Sequence, residues 1–324
     1  MDLHNHTPYP ALLSRFGAEN DVMGSSLVVR ITYEIANGGR LVPSAEQAWP
    51  VSPKPWACDY GPMEPDNAFY KGGTDLFVFG AACAPQGRPV TTMNVVLEVG
   101  RFRREIAVFG DRTWVKRGDD VGIGAARSFV TMPLTMENAF GGAGKWDRLK
   151  VPCADNPKGK GFHLEAAHAV GQLLPNIEEP KSLIRRWDDR PTPVGVGVCP
   201  PAFSSRLSRG MTYTKEGALD KLHPRLFNSA FPEMVVEGLQ AGDEVRLTGV
   251  THDAPLTFNL PEAPVAFRMR FDDVGRERIP GYDQVGVEVD KRRIFITYRY
   301  AFRYVLYKRQ KRQAELVRRE VIEP

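Results

Sequence analysis

Two carboxylates stand out as groups able to do chemistry. Asp111 and Glu137 lie within one stretch, Val108 to Gly142, where glycines, prolines and aromatics are concentrated. Apolar neighbours raise a carboxyl pKa, and a pair of carboxylates tuned apart in this way is the machinery of general acid/base hydrolysis, including that of glycosidic bonds. Nothing in the sequence places the two together. Carboxylates beside glycine turns also accept backbone N–H groups or pair with an arginine such as Arg112, and this structural role is the expectation for both. A hydrolase using Asp111 and Glu137 is the alternative.

The other chemical candidates are weaker. His163 and His168 are five residues apart, so on a helix they diverge by about 140° instead of the roughly 40° of a metal-binding i,i+4 pair. His4 and His6, near the start of the chain, could hold a metal only adventitiously. Cys58, Cys83, Cys153 and Cys199 form no C-x-x-C pair and read as reduced thiols. Gly122-Ile123-Gly124 lacks the third glycine of a dinucleotide loop, and Gly159-Lys160-Gly161 lacks the Lys-Ser/Thr of a phosphate loop. No serine occupies a nucleophile elbow. The expectation is therefore no catalytic residue, no metal and no cofactor.

The elements that must position these residues are strands. With 26 prolines and 30 glycines spread over 324 residues, short strands and turns are favoured over long helices, and 42% hydrophobic content supports a core. Leu27–Ile35, Leu76–Gly80, Val95–Gly100 and Arg103–Asp111 read as strands, the last three as an antiparallel meander. Asp243–Gly249, Leu256–Pro261, Val265–Phe271, Val285–Val289 and Arg293–Arg299 follow in the C-terminal part, with the alternation of strands that have one wet face. Between Leu41 and Asp66 the prolines forbid helix interiors and central strands, leaving an extended segment pinned by Trp49 and Trp56. A short helical run is expected from His163 to Leu174, another between Thr214 and Asn228, and a solvated charged helix from about Lys308 to Arg319 after a strand whose aromatic face packs on the body. The fold class is mainly β: antiparallel, sandwich-like lobes with long Pro/Gly-rich loops and few short helices. The expected division is an N-terminal β lobe, 1–150, an irregular connecting region, 151–232, and a C-terminal β lobe with a basic tail, 233–324. A Gly–acid–strand–Gly echo between Gly73–Gly80 and Gly242–Gly249 raises a duplication of the two lobes.

Charge narrows the partners. Of the net +4, a surplus of five lies in Arg299 to Pro324, where eight Lys/Arg face three Glu, so the rest of the chain is nearly neutral at −1. That is not the broad basic face of a nucleic-acid-binding domain. No basic n-region with an apolar core opens the chain, and no apolar run approaches the roughly 18 residues of a membrane span, so no membrane insertion is expected and the protein is expected to act in the cytoplasm.

An ordered series of motifs resembles one family. Phe69-Tyr70-Lys71-Gly72-Gly73-Thr74-Asp75-Leu76, Val108-Phe109-Gly110-Asp111-Arg112-Thr113-Trp114, Met132-Pro133-Leu134 with Glu137, Ala139-Phe140-Gly141-Gly142, Asn156-Pro157 and Leu174-Pro175-Asn176 with Glu178 resemble the type VI secretion accessory proteins. That family, first catalogued as a domain of unknown function, is encoded beside spike and toxin genes. Where family members carry Gly-Phe-Gly-Pro and a tryptophan, this chain has Val196-Gly197-Val198-Cys199-Pro200 and Phe203. The resemblance implies a non-enzymatic adaptor or chaperone that binds a toxin effector and helps load it onto a VgrG/PAAR spike tip. On this reading Phe69, Tyr70, Trp114 and Phe140 are the expected partner contacts. Gly72, Gly73, Asp75, Asp111, Arg112, Glu137, Gly141, Gly142, Asn156 and Asn176 are the expected structural motif.

Overall fold

The computed structural model describes residues 1–307 and 310–319. The chain is mainly β, 47% strand against 9% helix, in several mostly antiparallel sheets that do not close into a barrel. Three sheets matter for function. Their strands, in chain order, are β1 (Asp2–Asn5), β2 (Ala11–Glu19), β3 (Val22–Ile35), β4 (Thr74–Phe79), β5 (Thr92–Val99), β6 (Phe102–Phe109), β7 (Ile177–Glu178), β8 (Val235–Val236), β9 (Glu244–Thr248), β10 (Leu256–Asn259), β11 (Val265–Phe271), β12 (Val274–Arg278), β13 (Gly281–Glu288), β14 (Arg293–Val305) and β15 (Arg312–Arg318).

The largest sheet runs β2-β3-β14-β13-β4-β8, with Leu41–Pro43 also paired to β3. Its centre is long because β14 stays in register with β3 from Arg293 opposite Glu34 to Val305 opposite Val22. A five-stranded sheet runs β7-β6-β5-β9-β10, and a four-stranded sheet β1-β15-β11-β12. One apolar cluster joins all three: Val29, Ile31, Phe77 and Phe295 from the first, Leu97, Ile106 and Phe258 from the second, and Phe267 and Leu316 from the third. Trp114, Phe140, Ala169, Leu174 and Ile184 form a second, smaller cluster.

Several expectations change. The run from Leu76 to Asp111 is not a meander: β5 and β6 form a hairpin, but β4 sits in the other sheet, parallel to β13. Buried on all six residues, β4 has the near-continuous apolar pattern that a covered parallel neighbour demands. The 1–150 and 233–324 lobes do not hold separate sheets. β3 pairs with β14, β4 with β13 and β5 with β9, so both large sheets draw strands from each end of the chain. The two echo strands occupy different sheets, β4 beside a parallel strand and β9 between two antiparallel ones.

The region expected to be helical at the C-terminus is strand over Arg312–Arg318. Lys308 and Arg309 of that expected helix lie outside the described residues. β15 pairs with β1 and β11 and buries Ala314 and Leu316, the alternate residues that face the core. The open edge of β11 supplies a ladder that outweighs the helical propensity of a charged, unpartnered segment. Helix over 163–174 is confined to Ala166–Ala169, and 211–228 holds a hairpin, Met211–Tyr213 with Leu219–Leu222, and a 3-10 turn at Pro224–Phe227. The helix Ser204–Gly210 carried no clear sequence signal. The proline-rich segment is held as expected: Trp49 is buried against Phe295 at 4.1 Å between ring centres and donates its indole N–H to Glu288. The four cysteines are free thiols.

Strand geometry for the last segment predicts a phase in substitution effects. Leu316→Ala should cost about 2–5 kcal/mol by urea denaturation. Gln313→Ala, on the wet side of the strand, should stay within about 0.5 kcal/mol.

Candidate functional site

The site is built where strands of the largest sheet begin. β13 starts at Gly281 opposite Arg299 of β14, β4 starts at Thr74, and β8 ends at Val236. Between them lies an open groove of about 450 Å³, walled by Tyr70–Thr74, Val236–Leu239 and Gly281–Asp283 and floored by Arg299 and Ala301. Gly72 belongs to this wall because backbone and side chain crowd it: a Cβ there would stand 2.4 Å from Arg225 Cγ.

Under the groove runs a chain of buried charges. Lys71 Nζ lies 2.8 Å from Asp75 Oδ2 and 3.4 Å from Asp283 Oδ2, all three side chains less than 5% exposed. Arg299 grips Asp283 with two parallel bonds, Nε to Oδ1 at 2.8 Å and Nη2 to Oδ2 at 3.0 Å. Its remaining donors reach Ser26 Oγ and the carbonyls of Asp66 and Ala68. Asp75 is saturated from the other side by Asn228 Nδ2, the N–H and hydroxyl of Ser229, and the N–H of Ala230. Two residues further into the sheet, opposite Thr297, Arg30 binds Asp66, Gln284, Thr297 and the carbonyl of Pro50.

Burial works to raise the Asp283 carboxyl, but the charges and hydrogen bonds of Arg299 and Lys71 outweigh it and hold the group down at about 2. Burial likewise works to lower Lys71, and the carboxylates of Asp283 and Asp75 more than reverse it, so the ammonium stays charged. Every ionic group of the groove floor is thus already paired, a geometry that holds strands and does not leave a free acid or base.

The expected site residues separate. Asp75, Gly72 and Gly73 are in the groove wall or its ion network. Tyr70 is 48% exposed on the rim, and Phe69 is half-buried, its ring 5.3 Å from Phe16 and 5.5 Å from Tyr70. Trp114 and Phe140, at 1% and 4% exposure, are core residues of the smaller cluster and offer no surface to a partner. The extended pattern around both left their inward orientation open, because only the neighbouring Ala169, Leu174 and Ile184 bury them.

The 108–142 stretch is tied to 156–178. Arg112 stacks on Phe109 and binds Glu178 and the Pro175 carbonyl, while the other Glu178 oxygen accepts the Ile184 N–H. Asn176 donates to the Phe109 carbonyl and to Asp111 Oδ1 and accepts from Lys160. Asn156 bridges the Met136 and Phe140 carbonyls. Gly141 sits at φ 151° with Asn156 so close that a Cβ would meet its carbonyl oxygen at 2.1 Å, and Gly142, at φ 90°, donates its N–H to that same oxygen. Glu137 is exposed on a 3-10 turn, 4.0 Å from Lys158. Its own backbone N–H and then the Thr135 hydroxyl hold it below its ordinary value. That direction is the reverse of what a general acid requires.

Sequence reasoning missed Lys71, Asp283 and Arg299 as a unit. The available signal was a charge at an inward position of an otherwise apolar strand, as with Arg30 within Leu27–Ile31. A second cleft, about 540 Å³, lies beside Ile123, Arg185 and Trp187, and two of its arginines, Arg117 and Arg186, are bonded within the chain.

Fold and groove define a mainly β protein whose antiparallel sheets interleave both ends of the chain over a buried ionic floor. The chain belongs to the bacterial family described as "Uncharacterized protein conserved in bacteria (DUF2169)", whose family model matches residues 21–299. No curated protein and no solved structure matches it. No helix among the described residues is long and apolar enough to cross a membrane.

The ionic floor predicts a specific acid response. Asp283 sits at about 2 when folded and near 3.9 when unfolded, so its contribution, about 2–3 kcal/mol, is complete above about pH 5 and is lost as pH falls through about 2. Asp283→Asn should remove that part of the stability–pH profile. At neutral pH it should cost about 3–5 kcal/mol by leaving Arg299 and Lys71 with an unmatched charge. Denaturant unfolding at stepped pH measures both.

Proposed function

We propose that this protein is a non-enzymatic adaptor of a type VI secretion system, holding a toxin effector and helping to load it onto the VgrG/PAAR spike before export. The motif series from Phe69 to Glu178 supports the family-level reading. The observation that carries the binding role is the open groove whose floor charges, Lys71, Asp283 and Arg299, are all consumed in ion pairs. Such a floor is rigid and already neutralised, so a ligand gains from contact with the rim and not from proton transfer. Tyr70, an exposed amphipathic ring on that rim, is the side chain suited to anchor a partner.

Co-expression with the products of the genes that flank this one provides the test. The wild-type protein should co-purify with the effector and raise its soluble yield. Tyr70→Ala should reduce the retained effector by about tenfold without changing the thermal midpoint of the adaptor. Absence of any effector or spike protein from the wild-type purification would remove the reading.

A further inference from the structure

β14 is longer than its neighbour on one side. β13 begins at Gly281 opposite Arg299, so the last residues of β14, Tyr300 to Val305, pair only with β3. The hydrogen-bond phase shows which groups this leaves over. Ile35 N–H donates to Arg292 O, and Leu306 N–H donates to Asp21 O, so the even-numbered residues of the unbroken β14 register turn their backbone toward β3. In an antiparallel ladder the alternate residues turn the other way. The N–H and C=O groups of Ala301, Arg303 and Val305 therefore face outward and have no backbone partner among the described residues. Arg303 and Val305 are exposed, Ala301 partly so, and Ala301 also floors the groove beside Tyr70.

We infer that this edge of β14 is a strand-accepting site for an extended segment of a protein partner that alternates apolar and acidic residues. The rule that gives the alternation is the pleat itself. An added strand places successive side chains on the two faces of β14 in turn. On one face it meets Tyr300, Phe302 and Tyr304, whose rings stack at 5.9 Å intervals and match apolar side chains. On the other face it meets Arg303, whose guanidinium lies over the Phe69 ring and has no carboxylate partner among the described residues. Arg276 and Arg278, which precede the turn into Gly281, also lack a carboxylate partner among the described residues, whereas the nearby Asp283, Glu237 and Glu277 each already hold a cation. The surplus at this end is positive. Asp272 and Asp273 stand beyond the other end, past the contact of Phe271 with Tyr304, which favours carboxylates on the Ala301–Arg303 side. Long unpaired edges are usually blunted by proline, a bulge or a covering strand; from 300 to 305 β14 has no proline and no bulge, and no described residue pairs with its outer edge. Main-chain bonds would supply affinity and the two faces specificity.

The inference deepens the adaptor reading but is tested without the effector. The probe is a fluorescein-labelled eight-residue peptide alternating valine and glutamate, followed by anisotropy against the full-length protein. It should bind, and a valine–lysine counterpart should bind at least about tenfold more weakly. Arg303→Glu should reverse that preference. Ala301→Pro, which removes an outward N–H and leaves the β3 ladder intact, should weaken the glutamate peptide by about tenfold or more. If that variant does not fold, the same peptide N-methylated at alternate residues should lose binding to the unaltered protein in one of its two phases only. No binding of the glutamate peptide, equal binding of the lysine peptide, or indifference to both N-methylation phases overturns the inference. Effector co-purification with an unbound peptide would leave the adaptor and remove the edge, and peptide binding without co-purification would do the reverse.

Discussion

The structure depends on one buried ionic chain, Asp75–Lys71–Asp283–Arg299. Taking these charges out of water carries a penalty of several kcal/mol each, and only near-complete pairing offsets it. The members meet that requirement from three different parts of the sequence. Lys71 and Asp75 come from the entry to β4, Asp283 from β13, Arg299 from β14, and the hydrogen bonds that saturate Asp75 from Asn228, Ser229 and Ala230. Arg299 also ties down the carbonyls of Asp66 and Ala68, and Arg30 clamps the side chain of Asp66. The result is a specification of register. A slip of β13 against β14 by one residue would point Asp283 away from Arg299 and strand both charges.

That constraint explains the shape of the site. The Phe69–Leu76 motif reads as a glycine turn before a strand, yet its main work is to thread a lysine between two carboxylates while the backbone passes close to Arg225. The groove is what remains above this junction, because β13 and β4 start there and β8 ends there. Tyr70 projects beside it, and β14 continues past it as an edge. Rigidity below and open backbone above are complementary properties of one arrangement.

The 108–142 stretch has a different part. It looked like the centre of the molecule's chemistry because carboxylates and glycines crowd together in it. In the structure its polar groups are spent on 156–178: Arg112 on Glu178, Asp111 on Asn176, and the carbonyls of Met136 and Phe140 on Asn156. It is a second, smaller assembly around Trp114 and Phe140, separate from the ionic floor.

What the residues alone determined was local. β-branched alternation located the strands of Leu27–Ile35, Val265–Phe271 and Arg293–Arg299, proline density located the extended segment from 41 to 66, and composition set the mainly β class. What only the tertiary structure decided was pairing. Period-two alternation says which side chains share a face but not which distant strand lies alongside, so β4 beside β13, β5 beside β9 and the C-terminal strand β15 beside β11 were not legible. Burial of isolated aromatics followed the same limit: Tyr70 is at the rim and Trp114 in the core, because exposure is set by neighbours brought from elsewhere in the chain. The open edge of β14 follows from register as well: its hairpin partner β13 begins only opposite Arg299, which alternation alone does not specify, so Tyr300 to Val305 pair on one side.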